Sequence, residues 1–244
     1  MATAREVREI VPPPVLTQHL LLSVVEQMKL PLMSIARRAE LGAMPGGQVD
    51  LGEIRVTADA AVQLLDNYIL GVQLANQEVN LMQTEPVAIS SVLHSAGQRL
   101  QPIAKAYGVR LDMHIDGKYG PVMAHRRGLE AALVSLGYAL VEALPAQDAP
   151  QLKLQLSAHR CRYGIVAGIY CDTEQITTEA LRIGRQLYGR ARQPVSGVSH
   201  TSGAGIFVAD AILHAMQSQL TTSRYHRLYG LGAILPLNPQ LQLV

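Results

Sequence analysis

EPVAISSVLHSAGQRLQPIAKAYGVRLDMHID, residues 85–116, changes its period part-way along. Through its first two thirds Val92, Ala96, Leu100, Ile103 and Ala104 fall in phase at helical intervals, and Gly108 closes the run. Beyond it Val109, Leu111, Met113 and Ile115 alternate with Arg110, Asp112 and His114, the two-residue repeat of a half-buried strand. A helix that passes directly into such a strand places an α/β layer in this part of the chain.

Upstream the texture is purely helical. Residues 1–14 are polar and end in Pro12-Pro13-Pro14, which predicts an extended lead-in that stops where a helix can start. From Val15 to Leu41 the residues Leu16, Leu20, Val24, Met28, Leu32 and Ile35 draw one apolar stripe, broken by Gly42 and MPGG at 44–47. A second stripe follows through Leu51, Ile54, Ala58, Ala61, Leu65, Tyr68 and Val72. Two such helices joined by a short Gly/Pro loop predict an antiparallel hairpin. A lone hairpin buries little, so its seam is expected to meet a second copy or another domain. A more polar connector runs from about Gln73 to Thr84.

Downstream, a helix is predicted from about Arg127 to Leu144, ended by Pro145. Alternation returns in LKLQLSA at 152–158 and YGIVAGIYC at 163–171, a hairpin around Arg160 to Tyr163. A helical stretch near Thr178–Leu187, the loop SGVSHTSGAG at 196–205, a helix from Ile206 to about Gln217 and a final hairpin ending in GLGAILPL complete the pattern. Helices alternate with strands, yet several strands meet through hairpins, so a sandwich with a mixed sheet is expected rather than a doubly wound one. The fold class read from this order is α+β.

Composition excludes several functions. Apolar residues make up 48% and charged residues 16%, which suits a folded core. A formal net charge of +2, with Lys and Arg scattered, gives no nucleic-acid footprint. The apolar run Val15–Met28 is interrupted by Gln18, His19, Ser23 and Glu26 and is shorter than the roughly 20 residues a spanning helix needs. With no leader pattern at the N-terminus, the expected location is cytoplasmic. Cys161 and Cys171 make no metal-ligand pattern and are expected to be buried, reduced thiols.

Four short stretches stand out in this order of elements: VEQMKLPL at 25–32, RRGLEAALVSLGYALVEAL at 126–144, IYCDTEQI at 169–176 and TSGAGIFVADAIL at 201–213. The last is followed by YGLGAILPL at 229–237, a Gly-rich turn and a strand ending in Leu-Pro. Together, from about residue 15 to residue 240, they resemble the sensor histidine kinases of two-component signalling. That resemblance implies an extended segment at 1–14, a dimerisation hairpin at 15–80 that forms a four-helix bundle with its copy, and an ATP-binding domain of the Bergerat type at 81–244.

Residue by residue, the family's chemistry is thinned. Glu26 stands where the family has its phosphoacceptor His, Gln27 replaces the neighbouring acid, and Leu30 replaces the Thr or Asn that places a water. A phosphoryl group needs a nucleophilic nitrogen and a proton acceptor there, and neither is present. His19, seven residues before Glu26, is the alternative acceptor on that helix, or else a packed core histidine. Ser135 and Ala139 fall on the positions of the magnesium-binding Asn, and alanine offers a hard cation no oxygen. Glu142, one turn on, is a possible substitute ligand or simply a solvated glutamate. Asp172 follows the strand where the family recognises adenine, but the neighbouring glycines are replaced by Thr173, Glu174 and Gln175, so an Asp opening a turn is an equal reading. Gly203 and Gly205 occupy two of three family glycines before a helix, where backbone N–H groups meet a phosphate chain. Arg185, Arg190 and Arg192 flank the expected ATP lid.

The resemblance thus implies a homodimeric scaffold or regulator that docks a response-regulator receiver domain, with ATP or ADP and Mg²⁺ bound weakly or not at all. Two alternatives remain at the level of sequence: an ATP-binding protein with residual ATPase or atypical kinase activity, and an ATP-independent phosphotransfer protein using His19.

Overall fold

The switch of period at Gly108 is a structural joint. Helix α3 (Ile89–Ala106) passes into strand β2 (Arg110–Ile115) through Gly108, which takes a left-handed φ of +69°. The Gly108 amide donates to the Lys105 carbonyl at 3.1 Å and the Val109 amide to the Ala104 carbonyl at 2.8 Å. This crossed pair of bonds satisfies the last carbonyls of a helix whose chain must turn back sharply. In consequence α3 lies against β2 and buries Val92, Leu93, Ala96 and Leu100.

The structure is a computed structural model that describes residues 14–76, 82–115, 117–143, 153–172 and 203–237. The lead-in at 1–13, the helix expected near Thr178–Leu187 and the segment with Arg185, Arg190 and Arg192 lie outside the described residues. The remaining elements are α1 (Pro14–Ala43), α2 (Leu51–Asn76), β1 (Glu85–Val87), β3 (Val122–Ala124), α4 (Arg126–Ala143), β4 (Lys153–Cys161), β5 (Gly164–Cys171), α5 (Gly203–Ala215), β6 (Leu220–Tyr225) and β7 (Leu228–Leu235). Five strands make a mixed sheet in the order β2-β4-β5-β7-β6, in which β2 runs parallel to β4 and the other neighbours are antiparallel. The expected mixed sheet and both hairpins are present. The small antiparallel pair β1–β3 was not expected, because three-residue strands show no periodicity.

Helices α3, α4 and α5 make a layer in which α4 is buried along almost its whole length, from Leu129 to Val141. A helix apolar all round needs cover on two sides. The sheet supplies one and α2 the other: Leu64 and Tyr68 of α2 belong to the same apolar core as Leu133, Leu136 and Phe207. The helical pair α1–α2 therefore meets the second unit directly.

Three sequence expectations need correction here. On α2 the buried face runs through Ala61, Leu64, Asn67, Tyr68 and Gly71, whereas Leu51 and Leu65 are 71% and 40% exposed. Small residues decide this: a Cβ on Gly71 would lie 3.0 Å from Val208 Cα, so the bare glycine lets α2 press against α5. Helix α5 begins at Gly203 rather than Ile206. Of the two thiols, only Cys171 is buried; Cys161 is half-exposed at the end of β4.

The sheet face opposite the helices carries aromatic rings. Tyr170 lies on Gly230, where a Cβ would overlap its ring, and donates to Ser223 Oγ at 3.2 Å. Burial pushes its phenol pKa up to about 12. Tyr225 stacks on His159 with ring centroids 4.6 Å apart.

At the sheet edge Asp112 of β2 accepts from Lys153 Nζ at 2.8 Å and from Arg110 Nε at 3.2 Å. The Lys153 hydrogen bond holds the carboxyl below its ordinary 3.8; partial burial opposes this and Arg110 adds to it. A carboxyl depressed in the folded state stabilises above its unfolded pKa, and that contribution is lost as pH falls through the folded value. Denaturation midpoints measured on the acid side of 3.8 are therefore expected to fall less steeply in Asp112→Asn than in the parent. Identical acid slopes in the two proteins would remove the edge ion pair from the account.

Candidate functional site

The residues singled out by sequence come from three elements. Ser135 and Ala139 sit one turn apart on α4, both buried. Gly205 lies in the first turn of α5, which its glycines open. A Cβ at Gly205 would overlap the Ser135 carbonyl oxygen and come within 3.1 Å of Ala139 Cβ. Ser135, Ala139 and Gly205 are thus brought together, but as the contact surface of two helices. Between them α4 and α5 touch, with no gap at that point.

The third side is closed by α2. Asn67, only 3% exposed, donates from Nδ2 to Ser135 Oγ at 3.3 Å and accepts from Gln63 Nε2 at 3.2 Å. One turn from Ser135, Tyr138 donates its hydroxyl proton to the Ala60 carbonyl of α2 at 3.2 Å. Gly71 meets Val208 further along. The contacts of α2 with α4 and α5 thus run from Ala60 to Gly71, and of the two α4 positions expected from sequence to hold metal, 135 and 139, the one with a side-chain oxygen is already hydrogen-bonded.

The first turn of α5 meets α4 where Gly205 lies on Ser135 and Ala139. A hard cation needs several oxygens. Here Ala139 supplies none, and no group of three or more candidate metal ligands occurs among the described residues. Glu142 is in the last turn of α4, and its side chain is not among those described. Asp172 directly follows β5 and is exposed.

On α1 the expected acceptor segment is helical throughout, with Pro31 inside it. Gln27, expected from sequence to replace an acid, is 1% exposed and faces inward, while Val25, Leu32 and Met33 face outward. His19 and Glu26 lie on this helix, with side chains outside the described set.

Sequence reasoning missed Asn67, Gln63 and Tyr138. The signal available was a polar residue, Asn67, set between Leu64 and Tyr68 on a buried face. A buried amide in that position requires a partner, and Ser135 is that partner.

Two clefts flank the α2 seat. One of about 630 Å³ lies between α2 and the start of α4, with Arg99, Arg126 and Arg127 on its walls. Two of these arginines are engaged: Arg99 pairs with Glu130 at 2.6 Å, and Arg126 donates to Ser91 Oγ at 2.8 Å. The other, of about 730 Å³, lies between α2, α3 and β2. No helix among the described residues is long and apolar enough to cross a membrane.

No protein-family model and no curated protein matches the sequence. Solved structures do resemble it. The histidine kinase AdeS of Acinetobacter baumannii is 16% identical, with a TM-score of 0.50 over 85% of this chain and 95% of that one. Full-length ShkA, solved in complex with AMPPNP, is 12% identical, with a TM-score of 0.52 over 91% of this chain and 46% of that one. At such identities the likeness is one of fold: this chain has the histidine-kinase-like ATPase fold, with a pair of helices seated on its helical layer.

Proposed function

We propose that the chain is a two-component signalling protein that keeps the architecture of a histidine kinase as a dimeric docking scaffold, without nucleotide turnover. The observation that carries this reading is the seat of Gly205 on Ser135 and Ala139, locked from the third side by Asn67. It agrees with the sequence, where Glu26 replaces the phosphoacceptor and Gln27 its acid. A site whose chemical residues are replaced and whose space is filled by helix packing has been converted from a binding surface into core. The domain division is the one read from sequence: a dimerisation hairpin over residues 15–80 and an ATPase-type domain over 81–244.

The pair α1–α2 supports the dimer. Val62, Leu65 and Ile69 on α2 are exposed at three- and four-residue spacing, and Val25 and Leu32 are exposed on α1. An apolar seam at that spacing suits a four-helix bundle made with a second copy. The receiver domain of a response regulator would then meet the bundle beside Glu26, whose carboxylate carries negative charge where a kinase carries its phosphate.

Calorimetric titration with ATP or ADP to millimolar concentration, with and without Mg²⁺, is expected to give no saturable heat; micromolar binding would overturn the filled-site reading. In sedimentation equilibrium the parent should run as a dimer and Leu65→Glu/Ile69→Glu as a folded monomer, whereas a double variant that stays dimeric rules out this seam. Against an immobilised receiver domain, Glu26→Lys should weaken binding by about tenfold or more, since misplaced charge at an interface costs kcal/mol rather than tenths. Unchanged affinity would move the docking surface elsewhere.

A further inference from the structure

The cleft of about 630 Å³ between α2 and the start of α4 carries charges that its own ion pairs leave over. Three arginines and two carboxylates line it: Arg99 of α3, Arg126 and Arg127 of α4, Asp66 of α2 and Glu130 of α4. One pair cancels, since Arg99 binds Glu130 at 2.6 Å and gives a further donor to Gln63 Oε1. The other three groups do not cancel. Arg126 meets the neutral Ser91 hydroxyl at 2.8 Å, and among the described residues neither the Arg127 nor the Asp66 side chain has an ion pair or hydrogen bond.

The first turn of α4 sharpens this imbalance. It holds Arg126 and Arg127 and no acid, although the positive end of a helix dipole disfavours cations. The uncompensated charge is therefore two positive on the α4 wall and one negative on the α2 wall. The two walls do not neutralise each other, because Asp66 forms no ion pair with either arginine. Leu70 and Ala131, both half-buried, add apolar surface to the same space. What completes such a cleft carries two negative charges at one end and one positive charge at the other, held apart by a compact body. A phosphate monoester supplies close to two negative charges at neutral pH, and an ammonium group supplies the positive one. The volume lies in the range of small-molecule sites.

We propose that this cleft binds a small amino-phosphate, its phosphate on Arg126 and Arg127 and its ammonium on Asp66. The phosphate takes the guanidinium donors that Ser91 leaves over, in charge-assisted hydrogen bonds. Asp66 belongs to the helical pair and both arginines to the sheet unit, so the ligand ties one unit to the other beside the Asn67–Ser135 bond. Binding thus favours the seated arrangement of α2 and gives the protein a chemical input. ATP, with no ammonium for Asp66 and a surplus of negative charge, matches the cleft poorly. None of the three groups belongs to the contact of Gly205 with Ser135 and Ala139, so the proposal is independent of the scaffold reading.

Glucosamine 6-phosphate is the probe, titrated by calorimetry at pH 7 beside glucose 6-phosphate, which has a hydroxyl in place of the amine, and glucosamine, which has no phosphate. The parent is expected to bind one equivalent of the amino-phosphate with submillimolar affinity, and each control at least about tenfold more weakly, the loss of one charge-assisted contact. Arg126→Gln/Arg127→Gln should abolish binding. Asp66→Asn should weaken glucosamine 6-phosphate by about tenfold while leaving glucose 6-phosphate unchanged, a split that a merely structural effect would not produce. All three positions are exposed, and unchanged melting temperatures certify the fold. No saturable heat from the parent at millimolar glucosamine 6-phosphate overturns the proposal, as does binding that survives the arginine double variant. Glucose 6-phosphate binding as tightly as the amino-phosphate overturns the ammonium part, and glucosamine doing so overturns the phosphate part.

Discussion

Helix α4 has apolar residues on every side and only one sheet to bury them on. The rest of the arrangement follows from that excess. One face packs on the strands; the other would stand in water if α2 did not cover it, at roughly 25 cal/mol for each Å² of apolar surface left wet. The cover is fitted closely: Gly71 admits Val208, Asn67 finds Ser135, and Tyr138 reaches the Ala60 carbonyl. Two of these contacts are polar groups in a dry interface, which fix position more than they add stability, because a buried donor that misses its acceptor costs about 1–3 kcal/mol. Sliding α2 by one residue would strand both.

The same economy governs the contact of α4 with α5. The residues that meet there are Ser135, Ala139 and Gly205, all small, and small residues facing each other bring helix axes together. The glycine that a phosphate-binding reading values for its exposed N–H is, in this packing, valued for its missing side chain. Glycine serves both purposes, which is why a G-x-G in sequence does not distinguish them.

Much of the fold was legible because it rests on local periodicity. The helix-to-strand switch at Gly108, the hairpins β4–β5 and β6–β7 and the mixed sheet follow from patterns of two and of three to four, which burial on one face imposes. The buried face of α2 was not legible. Its sequence carries two apolar stripes, one through Leu64, Tyr68 and Gly71 and one through Leu65 and Ile69, and periodicity alone does not rank them. The choice is made by partners far along the chain, Ser135 and Val208, and by the bare backbone at Gly71. The seat of α2 on α4 was illegible for the same reason, because it depends on contacts between residues 68 positions apart, as Asn67 and Ser135 are. Likewise β1 and β3 are too short to announce themselves and are held by each other.

Gly205 seated on Ala139 has a consequence for which substitutions this chain tolerates. A longer side chain at position 139 would project into the first turn of α5, and a residue without a polar group at 135 would take away the partner of Asn67. Neither position can change alone without moving a neighbouring helix, so replacements there are expected to come in groups, with α2, α4 and α5 adjusting together.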